Sequence, residues 1–289
     1  MHFAFVKLTR LRIEAMSYPN RPIAFVMASS NHGNLIVNRH DYRMVDDSRG
    51  YGVGFQILNK SSFDPEEVNF ALALLDSRRK YYGDDVFAID GGANIGVHTV
   101  EWSRHMHGWG RVLAFEAQEV VYYALAGNIA VNNCLNARAR HSALGEVCGE
   151  LCIPQPDYFA PASFGSLELR YRPSTEFIGQ TISYESNDCT AVPMSSLDSL
   201  GLPRVDLIKI DVEGMELEVL RGAKDVMRRL RPLLIVEAIK SDRAALEAVL
   251  REMEYQVFKL GINLLAVHNS DPTLKHVTQT TNGINFTVV

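Results

Sequence analysis

From Val86 onward the chain alternates short, almost wholly apolar runs with amphipathic stretches of helical length, and this rhythm restricts the fold more than any other feature. Val86–Ile89 reads as a buried strand, followed by a glycine-rich turn and a helix from about Ile95 to Met106. Val112–Phe115 reads as a second strand, 120–132 as a helix and 138–145 as a third strand. The pattern resumes with strand 205–210, helix 215–230, strand Leu233–Glu237 and helix 242–253. Strands apolar on both sides need cover on both faces, which implies a mostly parallel sheet between helices. Right-handed crossovers leave few topologies for such a sheet. Three further runs, Tyr255–Leu260, 264–267 and 284–289, follow without intervening helices and predict an antiparallel C-terminal hairpin. Asn282-Gly283 is a hairpin-type turn before the last of them.

Two segments break the rhythm. Residues 1–83 read as an N-terminal extension whose first sixty residues are irregular and β-rich, with candidate strands at 23–27 and 35–45. In it Asp64 is a predicted helix N-cap, with Pro65 at the first helical position, Glu66 and Glu67 in the first turn, and an end before Gly83. Residues 147–192, with Pro154, Pro156, Pro161 and Pro173, read as an insertion with some β-structure in a domain spanning 84–289. Both segments are expected to cover an acceptor pocket. Tyr158, Phe159, Phe164 and Tyr171 are candidates to pack there or in a satellite core.

The 289 residues carry 29 Lys+Arg against 34 Asp+Glu, a net charge of −5, which argues against a dedicated nucleic-acid binder. A hydrophobic fraction of 47% and a charged fraction of 22% exclude disordered and fibrous classes. The four cysteines, Cys134, Cys148, Cys152 and Cys189, are too few for a disulfide scaffold, so free thiols are expected. Met1 to Arg12 lacks an uninterrupted apolar run with a cleavage site, and no stretch has the length of a membrane helix. A cytoplasmic protein with no membrane partner is the expectation.

The chemistry concentrates at strand ends. Asp90-Gly91-Gly92-Ala93-Asn94-Ile95-Gly96 joins the first strand to its helix, where open α/β sheets bind ligands. A dinucleotide fingerprint would need glycine at 93, where alanine stands, and the Asp90 carboxylate would repel a pyrophosphate. It suits a ligand with an ammonium group, such as S-adenosylmethionine, over NAD; an NAD-dependent oxidoreductase and a non-catalytic cofactor-binding module are the alternatives. Gly91, Gly92, Asn94 and Gly96 are candidates for close approach to the cofactor. Glu116, ending the second strand, would accept hydrogen bonds from the ribose hydroxyls, with Ala117, Gln118 and Ser142 around the adenine. Asp211 and Glu213 follow the strand ending at Ile210, and Glu237 ends the next one. Such carboxylates can deprotonate an acceptor hydroxyl or, as Asp211 with Glu237, hold a divalent cation. Glu213 and Glu216 equally suit a helix N-terminus. His98, just past the glycine loop, is a further acid/base candidate.

Phe87-Ala88-Ile89-Asp90-Gly91-Gly92-Ala93-Asn94-Ile95-Gly96 with Val112-Leu113-Ala114-Phe115-Glu116-Ala117-Gln118 resembles the FkbM family of S-adenosylmethionine-dependent methyltransferases. The run from Ile208 through Asp211-Val212-Glu213-Gly214-Met215-Glu216 to Ala223 resembles that family's second hallmark, and Pro232–Glu237 also fits. Gly91 stands where the family usually has an aliphatic residue, and Ala117 where proline is frequent. The resemblance implies a class I, Rossmann-like methyltransferase fold and methyl transfer, most often to oxygen on sugars or secondary metabolites. In that reading Asp90 binds the methionine portion, Glu116 holds the ribose, and Asp211, aided by Glu237 or Glu213, activates a small-molecule or glycan acceptor.

Overall fold

The apolar runs become the centre of one twisted sheet. The computed structural model describes residues 21–47, 49–280 and 283–287, so the reading of Met1 to Arg12 lies outside the described residues. The first part of the chain forms β1 (Phe25–Ser30), β2 (Gly33–Asn38), β3 (Arg43–Met44), β4 (Gly50–Tyr51), α1 (Val53–Lys60) and α2 (Pro65–Tyr82). Then come β5 (Val86–Gly91), α3 (Val97–His105), β6 (Gly110–Glu116), α4 (Glu119–Val131), β7 (Ala137–His141) and β8 (Ala143–Leu144). β9 (Gly149–Pro154) and β10 (Cys189–Ser195) precede β11 (Leu207–Ile210), α5 (Glu216–Arg221), α6 (Lys224–Leu230), β12 (Leu233–Glu237) and α7 (Arg243–Glu252). The C-terminal part holds β13 (Tyr255–Leu260), β14 (Asn263–His268), β15 (Val277–Thr280) and β16 (Gly283–Phe286).

Seven strands form the central sheet in the order β7-β6-β5-β11-β12-β14-β13. The five from β7 to β12 are parallel, while β14 runs antiparallel to both β12 and β13. Counted by appearance this is the class I methyltransferase order 3-2-1-4-5-7-6. Every residue of β5, β11 and β14 is buried, as strands covered on both faces require. One apolar cluster, including Ile89, Phe115, Ile208 and Val236, fills one face of the sheet. A second, including Ala88, Trp102, Leu207 and Ile235, fills the other. α2 is fastened to the C-terminal part by buried Arg78, which pairs with Asp206 at 3.2 Å and with Asp271. The strand order reverses between β5 and β11, the crevice where open α/β sheets place their ligands.

Several elements differ from the sequence reading. The chain before α2 contains helix α1, because Gly52 and Gly54 pack against Asp41, whose carboxylate accepts the Gly54 N–H at 2.8 Å. Asp64 stands at the cap position of α2 but is left-handed (φ 33°) and makes no side-chain capping bond. The single helix expected over 215–230 is two, α5 and α6. The chain breaks at Gly222, where a Cβ would meet the carbonyl of Gly145 at 2.3 Å. β9 and β10 join β8 in a separate three-stranded sheet, and residues 155–188 between them form no strand. The final run is also not in the main sheet. Among the described residues β16 pairs with β15 alone, in a small hairpin, and residues 288 and 289 lie outside the described residues.

Candidate active site

The carboxyl ends of β5, β6, β11 and β12 open into a cavity of about 500 Å³. Of the residues expected to hold a cofactor, Asp90, Gly92, Asn94, Glu116, Ala117, Ser142 and Asp211 line it, as do Gln118 and the acid/base candidates His98, Glu213 and Glu237. Gly91 and Gly96 do not line it. A Cβ on Gly91 would meet Leu144 Cδ1 at 2.9 Å, and one on Gly96 (φ 88°) would meet Leu125 Cδ1 at 2.5 Å. Their smallness serves packing within the sheet and of α3 on α4, in place of the cofactor contact expected from sequence. Tyr158, Phe159, Phe164 and Tyr171 do not line the cavity either. Tyr158 and Phe164 are buried with ring centroids 4.9 Å apart, while Phe159 and Tyr171 are exposed.

Gly92 is required for a reason internal to the protein. Its φ is 78°, and a Cβ there would lie 1.7 Å from the carbonyl oxygen of Asp211. The loops after β5 and β11 therefore touch backbone to backbone, and the Asp211 N–H donates to the Gly91 carbonyl at 2.9 Å.

On the β5–β6 side, Asp90 is 1% exposed. Its Oδ2 accepts the Thr99 hydroxyl at 2.6 Å, while its Oδ1 has no partner among the described residues. A buried carboxylate oxygen with no donor is a costly arrangement that a cationic, N–H-bearing ligand relieves. Glu116 accepts the backbone N–H of Asn94 at 2.9 Å and of Gln118 at 2.8 Å. Burial outweighs these bonds and pushes its carboxyl up to about 7. The acidic wall fits S-adenosylmethionine, whose ammonium and sulfonium are cationic and which carries no phosphate.

The β11–β12 side is a mixed-charge cluster. Ligand atoms of Asp211, Glu213 and Glu237 lie within 4.8 Å of one another. Lys209, 5% exposed, donates to Asp211 at 2.6 Å, and Lys240 donates to Glu213 at 2.5 Å and to the Ser166 carbonyl at 2.8 Å. Burial disfavours the Lys209 ammonium, but Asp211, Glu67 and Asp90 raise its pKa overall. The two ammonium groups put positive charge where a divalent ion would have to sit, so the trio does not fit a metal and no step is derived through one. Glu237 is different: burial, with the charges of Asp211 and Glu216, raises it to about 8, and its buried Oε2 has no partner among the described residues. Glu216 turns inward to accept the N–H groups of Val212 and Gly214, both at 3.0 Å, and so fixes the loop that carries Asp211 and Glu213.

The sequence reading passed over four residues here. Lys209 was visible as a lone lysine in an apolar strand, and Lys240 had no such signal. Glu67, from α2, approaches His98 Nε2 at 3.1 Å and accepts the Asn263 amide at 2.7 Å. Burial opposes ionisation of Glu67, but His98, Lys209 and Asn263 together hold it at about 2. Neither Glu67 nor Asn263 carried a local signal, since each acts through a partner distant in sequence.

A family model described as the methyltransferase FkbM domain matches residues 90–260, from the acidic loop after β5 to the end of β13. The chain belongs to the FkbM methyltransferase family. Methyltransferase 1 of Beauveria bassiana (strain ARSEF 2860) is 28% identical over 193 residues, covering 61% of this chain and 74% of that protein. Methyltransferase sdnD of Sordaria araneosa is 26% identical over 196 residues, covering 59% and 74%. Among solved structures, a methyltransferase FkbM from Methylobacillus flagellatus KT aligns with a TM-score of 0.46 and 16% identity. That alignment covers 68% of this chain and 48% of the other, so the chain spans about half the length of that structure. Membership makes the protein an S-adenosylmethionine-dependent methyltransferase and sets aside the oxidoreductase alternative. The matched range contains the Asp90 and Glu116 wall and the β11–β12 cluster. Tyr51, Gln56, Phe63, Glu67, Ile262 and Asn263, which also line the cavity, lie outside the matched range. Among the described residues no helix is long and apolar enough to cross a membrane.

Proposed function

We propose that this FkbM methyltransferase methylates a hydroxyl oxygen of a small-molecule or glycan acceptor, a sugar or secondary metabolite. The observation that carries the reading is that Glu237 and Asp90 line one cavity and each keeps a buried, unpartnered carboxyl oxygen, Oε2 and Oδ1, among the described residues. One carboxyl suits the cationic donor and the other suits an uncharged hydrogen-bonding acceptor. The bound cofactor supplies an already activated methyl group, so the protein's task is alignment and exclusion of water. Asp90 holds the cationic methionine end, Glu116 and the Asn94 loop hold the ribose, and Ala117, Gln118 and Ser142 frame the base. Asp211 and Glu213, fixed by Lys209 and Lys240, shape the acceptor end as a near-neutral polar wall. Glu237, raised to about 8, is largely protonated at neutral pH and orients the acceptor oxygen through a hydrogen bond. The extension and the 147–192 segment, which contribute Tyr51, Phe63, Ser166 and Leu169 to the lining, close over the acceptor.

The test is incubation of the protein with S-adenosylmethionine and a metabolite extract of its host, read by mass spectrometry. A product heavier by CH₂, with the new methyl on oxygen by fragmentation, is expected. A methyl found only on nitrogen, carbon or sulfur would overturn the oxygen assignment.

A further inference from the structure

His98 is the most unusual polar group in the cavity wall. It is 5% exposed, and neither ring nitrogen has a well-formed hydrogen bond among the described residues. Nε2 is 3.1 Å from Glu67 Oε1 without completing a hydrogen bond, and Nδ1 has no partner among the described residues. Leaving a buried ring nitrogen unsatisfied costs about 1–3 kcal/mol, and the packed ring has little freedom to escape, with Trp102 at 5.4 Å on one side. A histidine kept in this condition at a cavity wall is complete only when a ligand meets it.

The other candidate bases are poorly placed to take a proton. Asp211 is paired with Lys209; Glu213 is held well above the ordinary carboxylate range by burial and by Asp211 despite Lys240, and Glu237, raised by burial and by Asp211, is largely protonated near neutrality. Glu67 is an ionised carboxylate beside Nε2, anchored by Asn263 on its other oxygen. Such a partner selects the tautomer with the proton on Nε2 and leaves a lone pair on Nδ1. Catalytic hydrogen bonds are often long or misaligned before the substrate arrives, which accommodates the incomplete contact between Nε2 and Glu67.

We propose that His98 is the base that receives the acceptor proton and that Glu67, from outside the FkbM domain, is its positioning residue. This rests on the hydroxyl-acceptor reading. The acceptor O–H proton passes to the Nδ1 lone pair while an oxygen lone pair forms the bond to the methyl carbon. The carbon–sulfur bond breaks with its electron pair going to sulfur, which cancels the sulfonium charge, and the imidazolium later releases its proton to water. Glu67 stabilises the transient positive ring. The cofactor stays on the Asp90 and Glu116 wall, so His98 and Glu67 act on turnover and not on cofactor affinity.

Three measurements test this. In nitrogen-15 NMR of the resting protein, the tautomer of His98 with its proton on Nε2 should predominate, and Glu67→Ala should mix the tautomers. A resting His98 with a protonated Nδ1 overturns the proposal without reference to any activity. In methyl transfer from isotope-labelled S-adenosylmethionine to the host extract, His98→Asn should lower the rate about 100-fold or more, the usual range for a lost general base. Glu67→Ala should lower it about 10-fold with Glu67→Asp restoring much of it, while calorimetric affinity for S-adenosylhomocysteine stays within about 3-fold. His98→Asn turnover near wild type, or lost S-adenosylhomocysteine affinity with turnover preserved at saturation, refutes the base assignment. Wild-type transfer to nitrogen or carbon alone would instead refute the hydroxyl reading, whatever the NMR result.

Discussion

Gly92→Ala probes the seam between the two halves of the site. The new methyl would start 1.7 Å from the Asp211 carbonyl oxygen and 2.7 Å from its carbon, and both are backbone atoms that no rotamer change can move. The loops would have to part by more than about 1 Å, since close-packed interiors leave no slack for such an overlap. An alanine at φ 78° adds about 1–2 kcal/mol of left-handed strain. Separation also breaks the Asp211 to Gly91 hydrogen bond, a net loss of about 1 kcal/mol. With overpacking of about 1–3 kcal/mol, the total is about 3–6 kcal/mol. At about 2 °C per kcal/mol for a chain of this size, calorimetry should show a melting temperature lower by about 6–12 °C. S-adenosylhomocysteine affinity should fall about 10-fold or more, because the displaced loops no longer frame one cavity. Gly96→Ala is the control. Its Cβ shares the left-handed strain but meets no backbone, only the Leu125 side chain at 2.5 Å and Thr99 Cβ at 3.7 Å, so it should lose some stability but keep cofactor affinity. A Gly92→Ala protein that melts within 2 °C of wild type and binds S-adenosylhomocysteine normally would refute the backbone-contact argument.

Asp90→Asn should weaken S-adenosylmethionine binding by about 10-fold or more by removing a charge-assisted contact, and unchanged calorimetric affinity in a folded variant would disprove that role. Exhaustive chelation should leave turnover intact, since Lys209 and Lys240 already neutralise the acidic cluster; metal-dependent loss and recovery of activity would contradict this. Glu237 is held at about 8 in the fold against an ordinary 4.5, so between those values the folded state binds more protons than the unfolded chain. Stability contributed by its protonated form is therefore lost as pH rises through the upper part of that window. Melting temperature should fall from about pH 7 to about pH 8.5, less steeply in Glu237→Gln, and a steeper fall in that variant would refute the assignment.

Four of the five parallel strands were legible because strands buried on both faces must be continuously apolar, and the carboxylates at Asp90, Glu116, Asp211 and Glu237 mark where those four runs end; β7, Ala-Arg-Ala-Arg-His at the sheet edge, carries no such run. These same ends form the cavity, so much of its composition could be read locally. What local pattern could not carry was set by distant partners. Gly222 divides α5 from α6 because the 145–146 backbone presses on it, and Gly92 is glycine because of Asp211. Glu67 looked like first-turn charge on α2, and only the placement of α2 against α3 and β14 brings it to His98 and Asn263. The edge of the sheet was similarly opaque, since nothing in the β13 and β14 sequences says that the later strand lies inside the earlier one.

That inverted order has a consequence for how the protein is made. Because β14 lies between β12 and β13, the open edge of β12 must stay vacant while β13, synthesised first, waits outside it. Glu67 likewise waits for an amide 196 positions further along the chain. At ribosomal speeds of about 5–20 residues per second, that interval is about 10–40 seconds. The β12 edge itself stays open from the end of β12 to the end of β14, 31 residues or about 2–6 seconds at that speed, and in that time β13 or another molecule can pair with it out of turn. The arrival of β14, which completes the central sheet, is thus also the step that brings Asn263 to Glu67 at the cavity. An incompletely synthesised or misregistered chain can form the Asp90 and Glu116 side of the cavity yet leave Glu67 without its amide partner.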